Sequence, residues 1–235
     1  MARQRSACIL IVVCGLMMTI ASVGNTSEIT ASDHVLDEAG WKELGIPGEL
    51  PTQYRMIDSD TIDVRSSSSV SILYRALMRR EQNARMLEWR WRVDKSVPAT
   101  DPADAGNDDR DLAVHIWFAD DQPEGLWKSL STAVSSVLGI PRIGKVLTYV
   151  FGGTGPRLRR LVNPHHDPDG VIVLLRPSGT ETGKWFSEQI DFVADFKTAF
   201  GAVPPPPMYL AISADSDDTR AESTGRIAAI RFRER

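Results

Sequence analysis

Arg90 and Arg92 stand two residues apart in the segment 87–94, where apolar and charged residues alternate. On a strand that spacing points both side chains the same way, about 7 Å apart. Two fixed positive charges so close need carboxylates or a ligand between them. The planar guanidinium supplies paired donors that match carboxylates and sugar hydroxyls. His115 and Trp117 occupy the matching side of a second alternating segment, 112–118, and an indole face can stack on a sugar ring. If the two segments adjoin, these four residues share a sheet face, with Arg176, Glu188 and Asp215 as neighbours. Such a face binds carbohydrates or carboxylate ligands. A salt-bridged exterior is the competing outcome for the same residues.

Other patterns fall short of a known chemistry. Asp215, Asp217 and Thr219 have the first, third and fifth spacing of a calcium loop, but Arg220 and Arg226 occupy the positions that need Gly and Glu. An EF-hand is excluded. A differently built, oxygen-lined structural calcium site at Asp215, Asp217 and Asp218 stays open beside the simpler reading of an acidic turn. No other cofactor is implied. His165-His166-Asp167 invites a metal triad, but no histidine follows His166, and the run 163–170 reads equally as a turn. The run 139–146 nearly spells a phosphate loop, yet Val146 stands where a magnesium-binding hydroxyl is required. A serine nucleophile elbow is absent. Hydrolysis would therefore fall to paired carboxylates, with Glu88 and Glu188 on strand-like segments.

The elements that must position these groups are mostly strands. In 87–94, Leu87, Trp89, Trp91 and Val93 share one face, and Glu88, Arg90, Arg92 and Asp94 share the other. In 112–118, Leu112, Val114, Ile116 and Phe118 oppose Ala113, His115 and Trp117. Residues 171–175 form a short apolar run, expected as a strand covered on both sides. Phe186, Ile190 and Phe192 mark another strand, Leu210, Ile212 and Ala214 a further one, and 227–232 the last. Residues 96–111 and 163–170 read as exposed loops, and 204–207 as an extended lead into a strand. Leu126, Leu130, Val134 and Leu138 recur every four residues as a helical stripe, ended by Gly139 and Pro141. Many short strands with one inserted helix predict a mostly β, jelly-roll-like two-sheet β-sandwich.

Arg3, Arg5, the apolar run 7–23 and the small residues Ser22 and Gly24 have the layout of a secretory signal peptide over 1–24. A lead-in segment at 25–40 and one domain from 41 to 235 would follow, with the helical insertion at about 125–155. The expected destination is the periplasm or the medium, with no stable membrane span after cleavage. Both cysteines, Cys8 and Cys14, lie in the leader, so the remainder has no disulfide, thiol nucleophile or thiolate metal site. Its stability must come from a core, and about 210 residues can bury roughly 70% of their unfolded surface. Losing Arg3 and Arg5 takes the net charge from −4 to −6. That balance argues against nucleic acid as a partner, which needs clustered cations.

Several separated stretches then carry a resemblance. In order they are 89–93 (Trp-Arg-Trp-Arg-Val), Asp108-Asp109, 115–118 (His-Ile-Trp-Phe), 147–150, Gly183-Lys184-Trp185, 195–201, 214–219 and the terminal Ile-x-x-Ile-x-Phe strand. Together they resemble a family of exported bacterial proteins, domain of unknown function 3047, over roughly 41–233. The resemblance implies a jelly-roll-like sandwich similar to carbohydrate- and galactose-binding modules, and it implies no activity. The sequence thus leads to a non-catalytic module for a carbohydrate or cell-envelope component. A glycan hydrolase and a purely structural envelope protein are the alternatives.

Overall fold

The computed structural model describes residues 31–120 and 143–234, with side chains from Val35 onward. The expected leader at 1–24, the expected helical stripe from Leu126 to Leu138 and the His34 side chain lie outside the described residues.

Among the described residues, twelve strands pack as two sheets, as the alternation predicts. A helix α1 (Ala31–Glu38) leads into β1 (Trp41–Gly45), β2 (Gln53–Met56), β3 (Thr61–Ser67) and β4 (Val70–Ala76). A single turn, α2 (Arg79–Gln82), precedes the two segments richest in sequence signal, β5 (Met86–Lys95) and β6 (Arg110–Phe118). Then come β7 (Val146–Phe151), β8 (Arg160–Val162), β9 (Gly170–Arg176), β10 (Phe186–Asp191), α3 (Phe192–Phe200), β11 (Pro207–Asp215) and β12 (Glu222–Arg233). The larger sheet runs β1-β4-β11-β6-β7-β9-β8 and the smaller β10-β5-β12-β3-β2. All pairings are antiparallel except β7 with β9. The architecture is a jelly-roll-like β-sandwich.

The core is the meeting of the two alternating segments. Leu87, Trp89, Trp91 and Val93 of β5 pack across the sandwich on Leu112, Val114, Ile116 and Phe118 of β6, and all eight are buried. Trp89 and Trp91 meet edge to face at 5.3 Å, and Phe151 closes on Trp91 at 5.5 Å. Such tilted aromatic contacts add to the burial of apolar area.

Three local features depart from the sequence expectations. Phe192 does not extend a strand: it begins α3, where Asp191 accepts a hydrogen bond from Ala194 N as an N-cap. Phe192, Phe196 and Phe200 lie four apart, which is helical periodicity. Residues 146–151, inside the stretch read as an insertion, form β7 in the middle of the larger sheet. The 96–111 loop ends in buried residues, with Asp108, Asp109 and Asp111 each 3% exposed or less.

Bulges decide where several charges point. In β12 the pairing slips between Ala228 and Arg231, and Ala229 takes a left-handed φ of 54°. The extra residue keeps Ile227, Ile230 and Phe232 all packed on the core. Between β11 and β6 the pairing slips between Ser213 and Asp215, bringing Asp215 opposite Arg110. Simple alternation would put Arg110 on the core face with Leu112. The bulge brings it to Asp215 instead.

Candidate functional site

The residues singled out by sequence do not form one face. β5 pairs with β10 and β12, never with β6. Arg90 and Arg92 therefore project from the outer side of the five-stranded sheet, while His115 and Trp117 project from the outer side of the seven-stranded one. The whole sandwich lies between them. A shared face failed because these consecutive strands stack across the core instead of pairing.

Arg176 and Glu188 occupy a third place, at the edge between the sheets. Arg176 Nε donates to Glu188 Oε1 at 2.6 Å, and Trp91 Nε1 donates to the same oxygen at 3.0 Å. Glu188 is buried and Arg157 approaches it at 3.7 Å. The Arg176 guanidinium also lies 4.4 Å from the Phe186 ring. This is a closed joint between the sheets, tying the core indole to an ion pair.

His115, Trp117 and Asp215 do converge, on a cavity of about 450 Å³ over the seven-stranded sheet. At its floor the two ring nitrogens of His115 hydrogen-bond Thr148 Oγ1 at 3.0 Å and Ser213 Oγ at 2.9 Å. Thr148 stands directly opposite His115 on β7, and Ser213 reaches it diagonally from β11, two residues beyond Ala211, the register partner of His115. Burial and nearby Arg110 hold the His115 pKa down at about 3, so the imidazole is neutral. Trp117 lies at one end, 5.5 Å from Tyr74 and 6.0 Å from Tyr209. It is only 2% exposed, a wall of the cleft and not an open platform.

Carboxylates line the other end. Arg110 bridges Asp108 and Asp215, each at 3.0 Å from a different terminal nitrogen. His165 reaches in from the 163–170 loop, its Nε2 3.1 Å from both Asp108 oxygens. His166 instead hydrogen-bonds Gly144 O at 2.7 Å, a loop-closing contact. Burial pushes the Asp215 pKa to about 8, with Asp217 and Asp108 adding to the rise and Arg110 opposing it. Asp111, behind this end, is pushed to about 7, chiefly by burial.

The acidic turn is a lock between loops. Asp109 accepts from Asp218 N, Thr219 N and Thr219 Oγ1, while Asp218 accepts from Asp108 N. Asp109, Asp215 and Asp217 bring carboxylate oxygens within 4.8 Å of one another. Asp218 does not belong to that group, because its carboxylate is turned to the Asp108 amide. The cation already among these groups is Arg110, on which Asp215, Asp108 and Asp109 all act. Sequence reading passed over Asp108 and Arg110 because their segment looks like an exposed loop and a bulge sets the arginine's direction. The signal that was present was the paired Asp108-Asp109 motif.

These shifts set a pH dependence of stability. Asp215 and Asp111 hold protons that the unfolded chain gives up near the ordinary carboxylate value, so their contribution is lost as pH rises through about 7 to 8. His115 has the opposite sign: its contribution is complete above its ordinary pKa of 6.5 and lost as pH falls toward 3. Between pH 6.5 and 8 the acids act alone. The melting temperature is expected to fall across that window, and Asp215→Asn should flatten the fall. An equally steep fall in Asp215→Asn, followed by calorimetry, contradicts the assignment.

Comparisons with known proteins come to bear on this geometry. The sequence model of a family described as "Protein of unknown function (DUF3047)" matches residues 39–231. No curated protein sequence matches the chain. Among solved structures, the xyloglucanase domain of NopAA, a type three effector from Sinorhizobium fredii in complex with cellobiose, is similar at TM-score 0.45 and 8% identity. That match covers 83% of this chain and 95% of that one. A loop-swap mutant of Necallimastix patriciarum Xyn11A matches at TM-score 0.39 and 10% identity, over 82% of this chain and 95% of that one.

Proposed function

This chain belongs to the DUF3047 family, and we propose that the cleft over its seven-stranded sheet binds a polyhydroxylated ligand, a sugar or short glycan. The observation that carries this reading is the composition of one cavity. Carboxylates from Asp108 and Asp215 line one end, the neutral imidazole of His115 the floor and the Trp117 ring the other end. Sugars present hydroxyls, which pair with the accessible His165, Asp217 and Asp218 side chains that also line the cleft, and apolar C–H faces, which pack on aromatic walls. The volume of about 450 Å³ lies inside the usual range for small-molecule pockets, roughly 300–1,000 Å³.

His165 offers the cleanest test. Its side chain is 59% exposed at the cleft mouth, so removing it leaves the core untouched. In calorimetric titration against a panel of neutral mono-, di- and trisaccharides, the wild-type protein should bind at least one. His165→Ala should weaken that binding about tenfold, a loss of about 1.4 kcal/mol, with no change in melting temperature. Unchanged affinity in the variant removes His165 from the site, and no binding to any neutral sugar defeats the reading.

One observation favours hydrolysis as a second reading. Asp215 keeps its proton to about pH 8, as a general acid must near neutrality, and Asp108 lies across Arg110 from it. Against this, Asp215 Oδ1 has no accessible surface and Oδ2 is held by Arg110. Binding without chemistry fits that burial better. Release of reducing ends from a bound oligosaccharide, lost in Asp215→Asn, would reverse the order of the two readings.

A further inference from the structure

The outer side of the five-stranded sheet carries an arrangement that folding alone disfavours. Arg92 of β5 stands directly opposite Arg226 of β12. Arg226 stands opposite Asp63 of β3, and Asp63 opposite Arg55 of β2. One row across the sheet thus holds three guanidiniums and one carboxylate. Like charges facing each other across strands are destabilising. Asp63 serves two of the three, with Arg226 Nε at 3.0 Å and Arg55 at 3.7 Å, and Arg92 takes Asp94 of its own strand at 2.5 Å. The next row adds Arg90, which faces Ser187 and Ala228, neither of them acidic. Its guanidinium lies over the half-buried Trp185 ring at 5.0 Å from the centroid.

We propose that this arginine row is a docking surface for an acidic polysaccharide, separate from the cleft on the opposite side of the sandwich. Three properties of the patch select that partner. Its cations are arginines, whose planar donor pairs grip carboxylate or sulfate groups bidentately. Strands about 4.8 Å apart set those groups in a flat row of about 14 Å, suited to an extended polymer carrying repeated charges. Trp185 offers an indole beside the row, and no large apolar side chain is prominently exposed on these five strands among the described residues. A lipid surface would call for such apolar groups, and a glycan does not. An anion lying between Arg92 and Arg226 relieves the repulsion that the fold otherwise retains at that pair. This surface does not depend on the cleft.

The test is electrophoresis of the intact protein through gels containing polygalacturonate or neutral dextran, with flotation on phosphatidylglycerol vesicles in parallel. Wild-type protein should be retarded by polygalacturonate alone, and less so as salt rises. Arg92→Glu places a carboxylate opposite Arg226, so it should keep its melting temperature while weakening retention at least tenfold. Arg90→Gln combined with Trp185→Ala should weaken retention while leaving the Arg92–Arg226 pair in place. His165→Ala should be retained like wild type. The proposal is overturned by an unretarded wild-type protein, by variants retained as strongly as wild type, by equal retention in dextran, or by binding to vesicles without binding to polygalacturonate.

Discussion

Trp91→Ala should cost about 3–5 kcal/mol of stability, the range for truncating a large buried aromatic side chain. Trp91 is fully buried, packs edge to face on Trp89 and Phe151, and sits on the strand that pairs with both β10 and β12. The loss goes beyond a cavity. Its Nε1 donates to Glu188, so the truncation also removes one of the hydrogen bonds that hold a buried carboxylate at the joint between the sheets. Trp185→Ala makes the comparison, since that half-buried ring packs under Arg90 and should cost less than 1 kcal/mol, as surface changes do. Denaturant unfolding of the two variants decides it. Equal losses would mean that the core is not organised around the β5 indoles.

Arg110→Met should be comparably severe above about pH 8, where Asp215 gives up its proton, again about 3–5 kcal/mol, the usual cost of removing one partner from a buried ion pair. Arg110 is the cation between Asp108 and Asp215, and all three side chains are 12% exposed or less. Without it, two carboxyl groups face each other in a desolvated site. The cost should carry a signature: it should shrink as pH drops from about 9 to about 7, through the Asp215 pKa of about 8, because a protonated Asp215 needs no cation. A deficit of the same size at both pH values would show that Arg110 acts by packing and not by charge.

Much of the fold was legible because strand alternation is a local signal. Trp89 and Trp91 had to face a core, and Leu112 through Phe118 had to supply its other wall, whatever the topology. Residues 192–200 carried a helical signal too, in three phenylalanines four apart, but the apolar density of the segment resembled a continuing strand. The site was less legible, and for a different reason. Which strands adjoin is a non-local property, and the alternation of β5 and β6 holds equally whether they pair or stack. They stack. His115 and Trp117 were therefore found as residues but grouped with the wrong arginines. Arg110 was hidden twice over, by a bulge that reverses its direction and by a loop-like composition around Asp108. Asp215 was visible as part of an acidic turn, whereas its raised pKa comes from burial that only the packed structure supplies.

The cleft proposed to bind sugars lies over the seven-stranded sheet, and the tryptophans report on it directly. The chain has six, and Trp117 lines the cleft while Trp185 sits on the opposite side of the sandwich. The deciding measurement is an NMR titration of nitrogen-labelled protein with a neutral oligosaccharide that binds, following the assigned indole N–H signals. The Trp117 signal should move in a saturable way while the Trp185 signal stays fixed, and His165→Ala should shift the saturation to higher concentration. Movement of Trp185 with Trp117 unchanged would place the neutral-sugar site elsewhere and contradict binding in this cleft.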